Sequence, residues 1–222
     1  MEEIDWRFRK HAGQAWEGYV RQRGSRYRDC RLDSFECNVP KQRKAIEKLN
    51  SFVRNAKDHA EKGDGLLLFG PVGTGKDHLL AAAFHATLKG KVWFDETNER
   101  TNSHIVEFFQ GSELFGLLKD SITKKQPESK TIEPLVRAKV LILSDLCAPG
   151  RSLTQYQEQI VKRIIDLRYS NCRPTWMSAN ASNRGELDEM LGKPITDRLV
   201  HGATVIPCHW PSYRSQIKLT SK

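Results

Sequence analysis

From about residue 66 onward, short wholly apolar runs alternate with stretches in which apolar residues recur every three or four positions. Leu66–Phe69 and Val140–Leu143 are apolar throughout, the pattern of strands covered on both faces. Pro174–Ser178 and Ala203–Cys208 read as further strands. Val92–Phe94 and Ile105–Phe109 are two more candidates, separated by the polar DETNERTNS, an inserted loop. Helical spacing joins Ile46, Leu49, Phe52, Val53 and Ala56 after Pro40, with Gly63-Asp64-Gly65 as the break. It recurs through Leu79, Leu80, Ala83, Phe84 and Leu88, and through Leu114, Phe115, Leu118 and Ile122 behind a cap at Ser112. Residues 124–130 read as a loop. Thr154-x-x-Gln157 is a capping box that opens a helix with Tyr156, Ile160, Ile164 and Leu167 on one face. Leu187–Leu191 and Pro194–Val200 read as short helices, and Gly202 as a stop. Repeated strand–helix units predict a three-layer α/β domain with a mainly parallel sheet.

The chain has 222 residues, enough for one domain with a short appendage and a core that needs no disulfide or metal staple. No run of roughly 18 uncharged apolar residues is present, which excludes a membrane-spanning helix. MEEIDWRFRK lacks a secretory pattern, so a cytoplasmic location is expected. The five cysteines are scattered and the seven histidines have no ligand spacing, which argues for reduced thiols and against zinc. The net charge of +9 points to an anionic partner. Much of it lies in residues 6–31, where eight Lys/Arg face two acids and Trp6, Phe8, Trp16, Tyr19 and Tyr27 are interleaved. This divides the chain into a basic, partly helical N-terminal arm (1–31), the main domain (32–215) and a tail (216–222). The arm's aromatics could stack on unpaired bases while its cations track phosphates. The same pattern could also fit a partner's groove, or place the aromatics on the core.

The sharpest motif is Gly70-Pro71-Val72-Gly73-Thr74-Gly75-Lys76-Asp77, directly after an apolar strand and before an apolar helix. It fits G-x-x-x-x-G-K, with Asp77 where Ser or Thr is usual. Glycines let the backbone turn its N–H groups toward one anion, and the helix that follows points its positive end at the same place. Lys76 adds a mobile charge for β- and γ-phosphates. Pro71, Val72, Gly73, Thr74, Gly75, Lys76, Asp77 and His78 are therefore the expected nucleotide contacts. A phosphate site also needs Mg²⁺ ligands and a group that orients water. Val140–Leu143 followed by Ser144-Asp145 has the form to supply them.

GPVGTGKDHLLAAA, VLILSDL, RYSNCRPTWMSAN, Asp197-Arg198-Leu199 and the closing WPSYR together resemble the DnaC/IstB-like branch of AAA+ ATPases, over roughly residues 26–215. That branch comprises bacterial replicative helicase loaders and the ATP-binding helpers of insertion-sequence transposases. The resemblance implies an AAA+-type P-loop NTPase fold. The general AAA+ helical lid is missing from the expectation, because only about a dozen residues follow Cys208. It implies a Walker A site at Gly70, Gly73, Gly75 and Lys76, with Ser144 and Asp145 at the Walker B positions. Asn180 matches the sensor asparagine, and Arg198 the arginine finger that reaches ATP on a neighbouring subunit. Asp145, Asn180 and Arg198 are thus the expected catalytic set. Arg214 matches a C-terminal arginine of the branch and receives no role.

Two departures concern one ion. Asp77 replaces a hydroxyl and Ser144 a carboxylate, so Asp77, Ser144 and Asp145 would hold Mg²⁺ from exchanged positions. Asp145 is one methylene shorter than the usual Glu, and such a displacement can cost about 10²-fold in rate. The expectation is a weak ATPase of the helicase-loader type, working with ATP and Mg²⁺ as a homo-oligomer on single-stranded DNA, with a replicative helicase or a transposase as protein partner. A transposition helper and a non-hydrolysing ATP-gated module are the alternatives. A nucleotide kinase shares the phosphate loop, but it would need an arginine-bearing lid and no use for Asn180 or Arg198.

Overall fold

The computed structural model describes residues 2–94 and 105–216. In chain order, helix α1 (Glu2–Arg23) leads through a 3-10 turn at Ser25–Tyr27 to α2 (Pro40–Arg54) and α3 (Ala56–Lys62). Strand β1 (Leu66–Phe69), α4 (Lys76–Lys89), β2 (Val106–Gln110), α5 (Gly111–Thr123) and α6 (Ser129–Arg137) follow. Then come β3 (Val140–Ser144), α7 (Gln155–Ser170), β4 (Thr175–Ala179), α8 (Arg184–Leu191), α9 (Lys193–Val200) and β5 (Thr204–Pro207). The five strands are all parallel, in the order β2-β3-β4-β1-β5. Side chains alternate across the sheet as a pleated strand requires. Leu66, Leu68, Val140, Ile142 and Trp176 join one core with α1, α2 and α4. Leu67, Leu141, Leu143 and Met177 join the other, with α5 to α9. The domain is therefore the three-layer, mainly parallel α/β architecture expected.

Of the two candidate strands near residue 100, Ile105–Phe109 supplies the edge strand β2, paired with β3. Residues 92–94 form a turn. Their apolarity is used in packing, because the Trp93 ring is buried against Trp176 and its Nε1 donates to Thr87 Oγ1 at 3.0 Å. The segment DETNERTNS lies outside the described residues. Ser112 is not a cap: α5 begins one residue earlier, with Gln110 as N-cap and its backbone N–H donating to Glu113 Oε2. The 124–130 loop ends early, at Ser129, where α6 starts. Pro134 hides that helix from a periodicity reading, although Ile132 and Leu135 are buried. The capping box at Thr154 is formed. The buried face of α7, however, is Ile160, Val161, Ile164, Ile165 and Arg168, while Tyr156 and Leu167 are exposed.

The N-terminal segment is part of the fold. Trp16, Tyr19 and Val20 are buried, and the Tyr19 ring packs at 5.5 Å on Phe84 and 5.4 Å on Phe108. Residue 31 therefore marks no gap in the packing. Of the readings left open for the arm's aromatics, Trp16 and Tyr19 follow the last: both are packed on the core. Trp6 is 60% exposed.

Candidate phosphate-binding site

The C-terminal ends of β1, β4 and β3 are adjacent, and each hands one part of the site to the same edge of the sheet. After β1 the chain turns through residues 70–75 into α4. Gly73 and Gly75 take φ values of 82° and 85°, which a side chain resists. A Cβ on Gly73 would stand 2.0 Å from Ser212 Oγ. The loop is anchored through its carbonyls. Thr74 Oγ1 donates to Pro71 O at 3.0 Å, Tyr213 N–H to Gly73 O at 2.9 Å and Trp210 Nε1 to Thr74 O at 2.8 Å. Spending the carbonyls this way leaves the loop's N–H groups for an anion, beside the positive end of α4. A Gly73→Ala variant is expected to bind ATP about 10-fold less tightly, and to lose ~1–3 kcal/mol of stability from backbone strain. Calorimetry and a thermal melt check this, and wild-type values in both would refute the packing argument.

Lys76 is buried, and its three ammonium protons have three acceptors: Gly70 O and Pro71 O at 2.8 Å and Asn180 Oδ1 at 2.9 Å. Burial lowers its pKa, partly opposed by Asp145. Asn180, just beyond β4, donates its Nδ2 to Asp145 Oδ1 at 2.7 Å. Asp145, just beyond β3, has φ of 47°. Burial raises its pKa and neighbouring Asp77 adds to that, against the pull of Lys76. Lys76, Asn180 and Asp145 thus form one hydrogen-bonded chain. His78 also lines the pocket, with Nε2 3.2 Å from Arg31 O, and burial lowers its pKa.

Asp77 is engaged on both oxygens. Oδ1 accepts from Ser144 Oγ at 2.9 Å and from Ser178 Oγ at 2.7 Å, while Oδ2 pairs with an Arg23 nitrogen at 2.6 Å. The exchanged pair Asp77 and Ser144 do meet. A divalent ion does not fit this donor set, because both hydroxyls point their protons at one carboxylate oxygen and a guanidinium holds the other. Among the described residues no three His, Cys, Asp or Glu side chains gather where they could hold a metal.

The structure does not bring Arg198 to this edge. It pairs with Asp166 at 2.6 Å and lies near Gly65 and Thr175, where β1 and β4 begin. Arg214 does line the pocket, beside the phosphate loop. The sequence reading missed Arg23, Ser178 and the anchoring roles of Trp210 and Tyr213. A signal for Arg23 existed: Trp16, Tyr19, Val20 and Arg23 follow i, i+3, i+4, i+7 spacing, so the cation lies on the core-facing stripe of α1.

The pocket, about 420 Å³, also takes Arg26, Tyr27, Phe35 and Tyr213 into its walls. This lies within the range of nucleotide-sized sites, ~300–1,000 Å³. A phosphate loop after the first strand of a parallel sheet, with polar side chains following the next two strands on one side, β4 and then β3, is the design of a P-loop NTPase domain. Within that class the chain belongs to the IstB-like ATP-binding protein family, whose model matches residues 29–221.

The replicative helicase loader DnaC of Escherichia coli K12 is 26% identical over 198 residues, 86% of this chain and 71% of that protein. A putative insertion sequence ATP-binding protein of Sinorhizobium fredii is 31% identical over 165 residues, covering 72% of this chain and 50% of its own length. A crystal structure of the DnaC helicase loader superposes with a TM-score of 0.69 at 24% identity, over 83% of this chain and 99% of that one. Replication initiator DnaA bound to AMPPCP and single-stranded DNA gives 0.60 at 17% identity, over 80% and 49%. The two superpositions establish the fold.

Proposed function

We propose that this protein is an ATP-binding DNA-replication factor of the helicase-loader type, a weak ATPase that acts as a cytoplasmic homo-oligomer on single-stranded DNA. The observation that carries the reading is the chain Lys76–Asn180–Asp145 at the mouth of a nucleotide-sized pocket. ATP would place its phosphates on the loop at residues 70–76, against Lys76 and the first turn of α4. Asn180 would then pass between the γ-phosphate and Asp145, which positions it to sense nucleotide state. Asp145 would orient the attacking water. Its short side chain, already committed to Asn180, favours slow turnover and a role for ATP as a conformational switch. Arg198 faces away from its own pocket, as a residue serving a neighbouring subunit would. Of the Mg²⁺ ligands expected, Asp77 and Ser144 are engaged with each other, and Asp145 is held through Oδ1 by Asn180, so the three do not stand together as a metal site.

Helicase loading is favoured over transposition by the relatives' coverage, 71% of DnaC against 50% of the insertion-sequence protein. A pull-down from the native host with ATP present separates them: a replicative helicase supports the proposal, and a transposase replaces it with the alternative. ATP binding with no hydrolysis, even with DNA present, would select the gated module. For the nucleic acid, the +9 charge predicts that single-strand affinity falls with salt, with a log–log slope of about −0.7 for each phosphate neutralised. A fluorescence anisotropy titration at several salt concentrations measures it, and absent binding at low salt would remove DNA from the function.

A further inference from the structure

The residue that distinguishes this phosphate loop is Asp77. A carboxylate at the second position of α4 stands beside the place where phosphate oxygens are to bind, and uncompensated it would repel them. The chain supplies the compensation from 54 positions away. Arg23 ends α1, and its side chain is only 4% exposed. Its guanidinium carbon lies 4.6 Å from the Tyr27 ring centroid and 4.2 Å from that of Phe108, and one terminal nitrogen reaches Tyr27 Oη at 3.2 Å. The preceding residue is pinned too, with Gln22 Nε2 donating to Phe108 O at 2.5 Å. A cation packed against two rings and carried on a core helix is thereby built into the site.

The charges around the pocket show what this pair does. Lys76, Arg26 and Arg214 face Asp145 and Glu36, while Asp77 and Arg23 cancel. With Arg23 in place the walls are net positive before any ion arrives. Without it three cations would face three carboxylates. Both oxygens of Asp77, moreover, are already engaged. A divalent ion bound at Asp77 would have to compete with a buried guanidinium and with two hydroxyl donors.

We propose that Arg23 takes the place of the divalent cation: it neutralises Asp77, closes that carboxylate to metal, and lets the pocket bind the free polyphosphate of the nucleotide rather than its magnesium complex. This rests on the nucleotide-binding reading above and deepens it. Guanidinium suits the task because it stays charged at any working pH and packs flat between rings. The first turn of α4 and the loop amides complete the anion site without metal.

The test is an ATP titration of the full chain by calorimetry, once in excess magnesium and once in excess EDTA. The expected result is binding in EDTA at least as tight as in magnesium. Binding that weakens 10-fold or more in EDTA overturns the proposal and leaves the nucleotide reading intact. Heat in neither buffer overturns both. The double variant Arg23→Gln, Asp77→Thr removes the pair together and restores the usual loop hydroxyl. It should bind ATP at least 10-fold more tightly in magnesium than in EDTA. A double variant as indifferent to magnesium as the wild type would show that the pair does not set metal dependence. If that variant fails to fold, the wild-type comparison still decides.

Discussion

Lys76→Ala is expected to weaken ATP binding about 100-fold or more, equivalent to ~3 kcal/mol, the usual cost of removing one member of a buried, hydrogen-bonded charge pair. In the free protein the ammonium is held by two loop carbonyls and the Asn180 amide oxygen, none of which carries a full charge. A triphosphate offers it what these partners cannot, so the lysine's contribution grows on binding. Burial lowers the Lys76 pKa, so the folded protein gives up this proton more readily than the unfolded chain does. ATP affinity should accordingly hold at neutral pH and fall as pH rises through that lowered value. The variant should lose this alkaline decline together with the affinity. Isothermal titration at neutral and alkaline pH, with a thermal melt as the folding control, measures both. A folded variant that binds within about threefold of wild type would mean that the loop is not the phosphate site.

The phosphate loop and the sheet were legible in the sequence for one reason: both depend on short contiguous patterns. Leu66–Phe69 and Val140–Leu143 cannot be amphipathic, and a glycine-rich turn between strand and helix has few uses. What escaped is what distance in sequence conceals. Val92–Phe94 is apolar enough for a strand, but its tryptophan is drawn to Trp176 and the backbone turns instead. The arm was ambiguous because aromatic and basic residues interleave identically in a DNA-facing helix and in a core helix that carries one buried cation. Only the heptad-like stripe ending in Arg23 separates the two, and its meaning depends on Asp77, which no local pattern connects to it. Ser178 was hidden for the same reason. Within a buried strand a serine looks like filler until the carboxylate it serves is in view.

A second large effect is expected away from the pocket. Arg168 is fully buried on α7, where its hydrogen bonds go to one hydroxyl and four carbonyls. Its Nε donates to Thr175 Oγ1 at 3.0 Å, one terminal nitrogen to Leu135 O at 2.6 Å and Ala138 O at 2.9 Å, and the other to Pro174 O at 2.6 Å. These carbonyls end α6 and lead into β3 and β4, where a helix terminus leaves acceptors unmatched. Burial lowers the pKa of Arg168, and nearby Arg173 acts in the same direction. The fold tolerates that cost because no other side chain carries donors on three nitrogens in one plane. Arg168→Ala strands several buried carbonyls and opens a cavity, so a loss of ~3–5 kcal/mol is expected, about 6–20 °C in Tm for a chain of this size. Arg168→Lys keeps the charge but not the planar fork, and should recover less than half of the loss. A chemical denaturation series on the three proteins would measure this. A lysine variant as stable as wild type would mean that the charge alone, and not the fork, holds the strand entries. Because β3 and β4 carry Asp145 and Asn180 at their far ends, the alanine variant should also lose ATP affinity at temperatures where it is still folded, through slackening of the sheet edge on which both side chains are mounted.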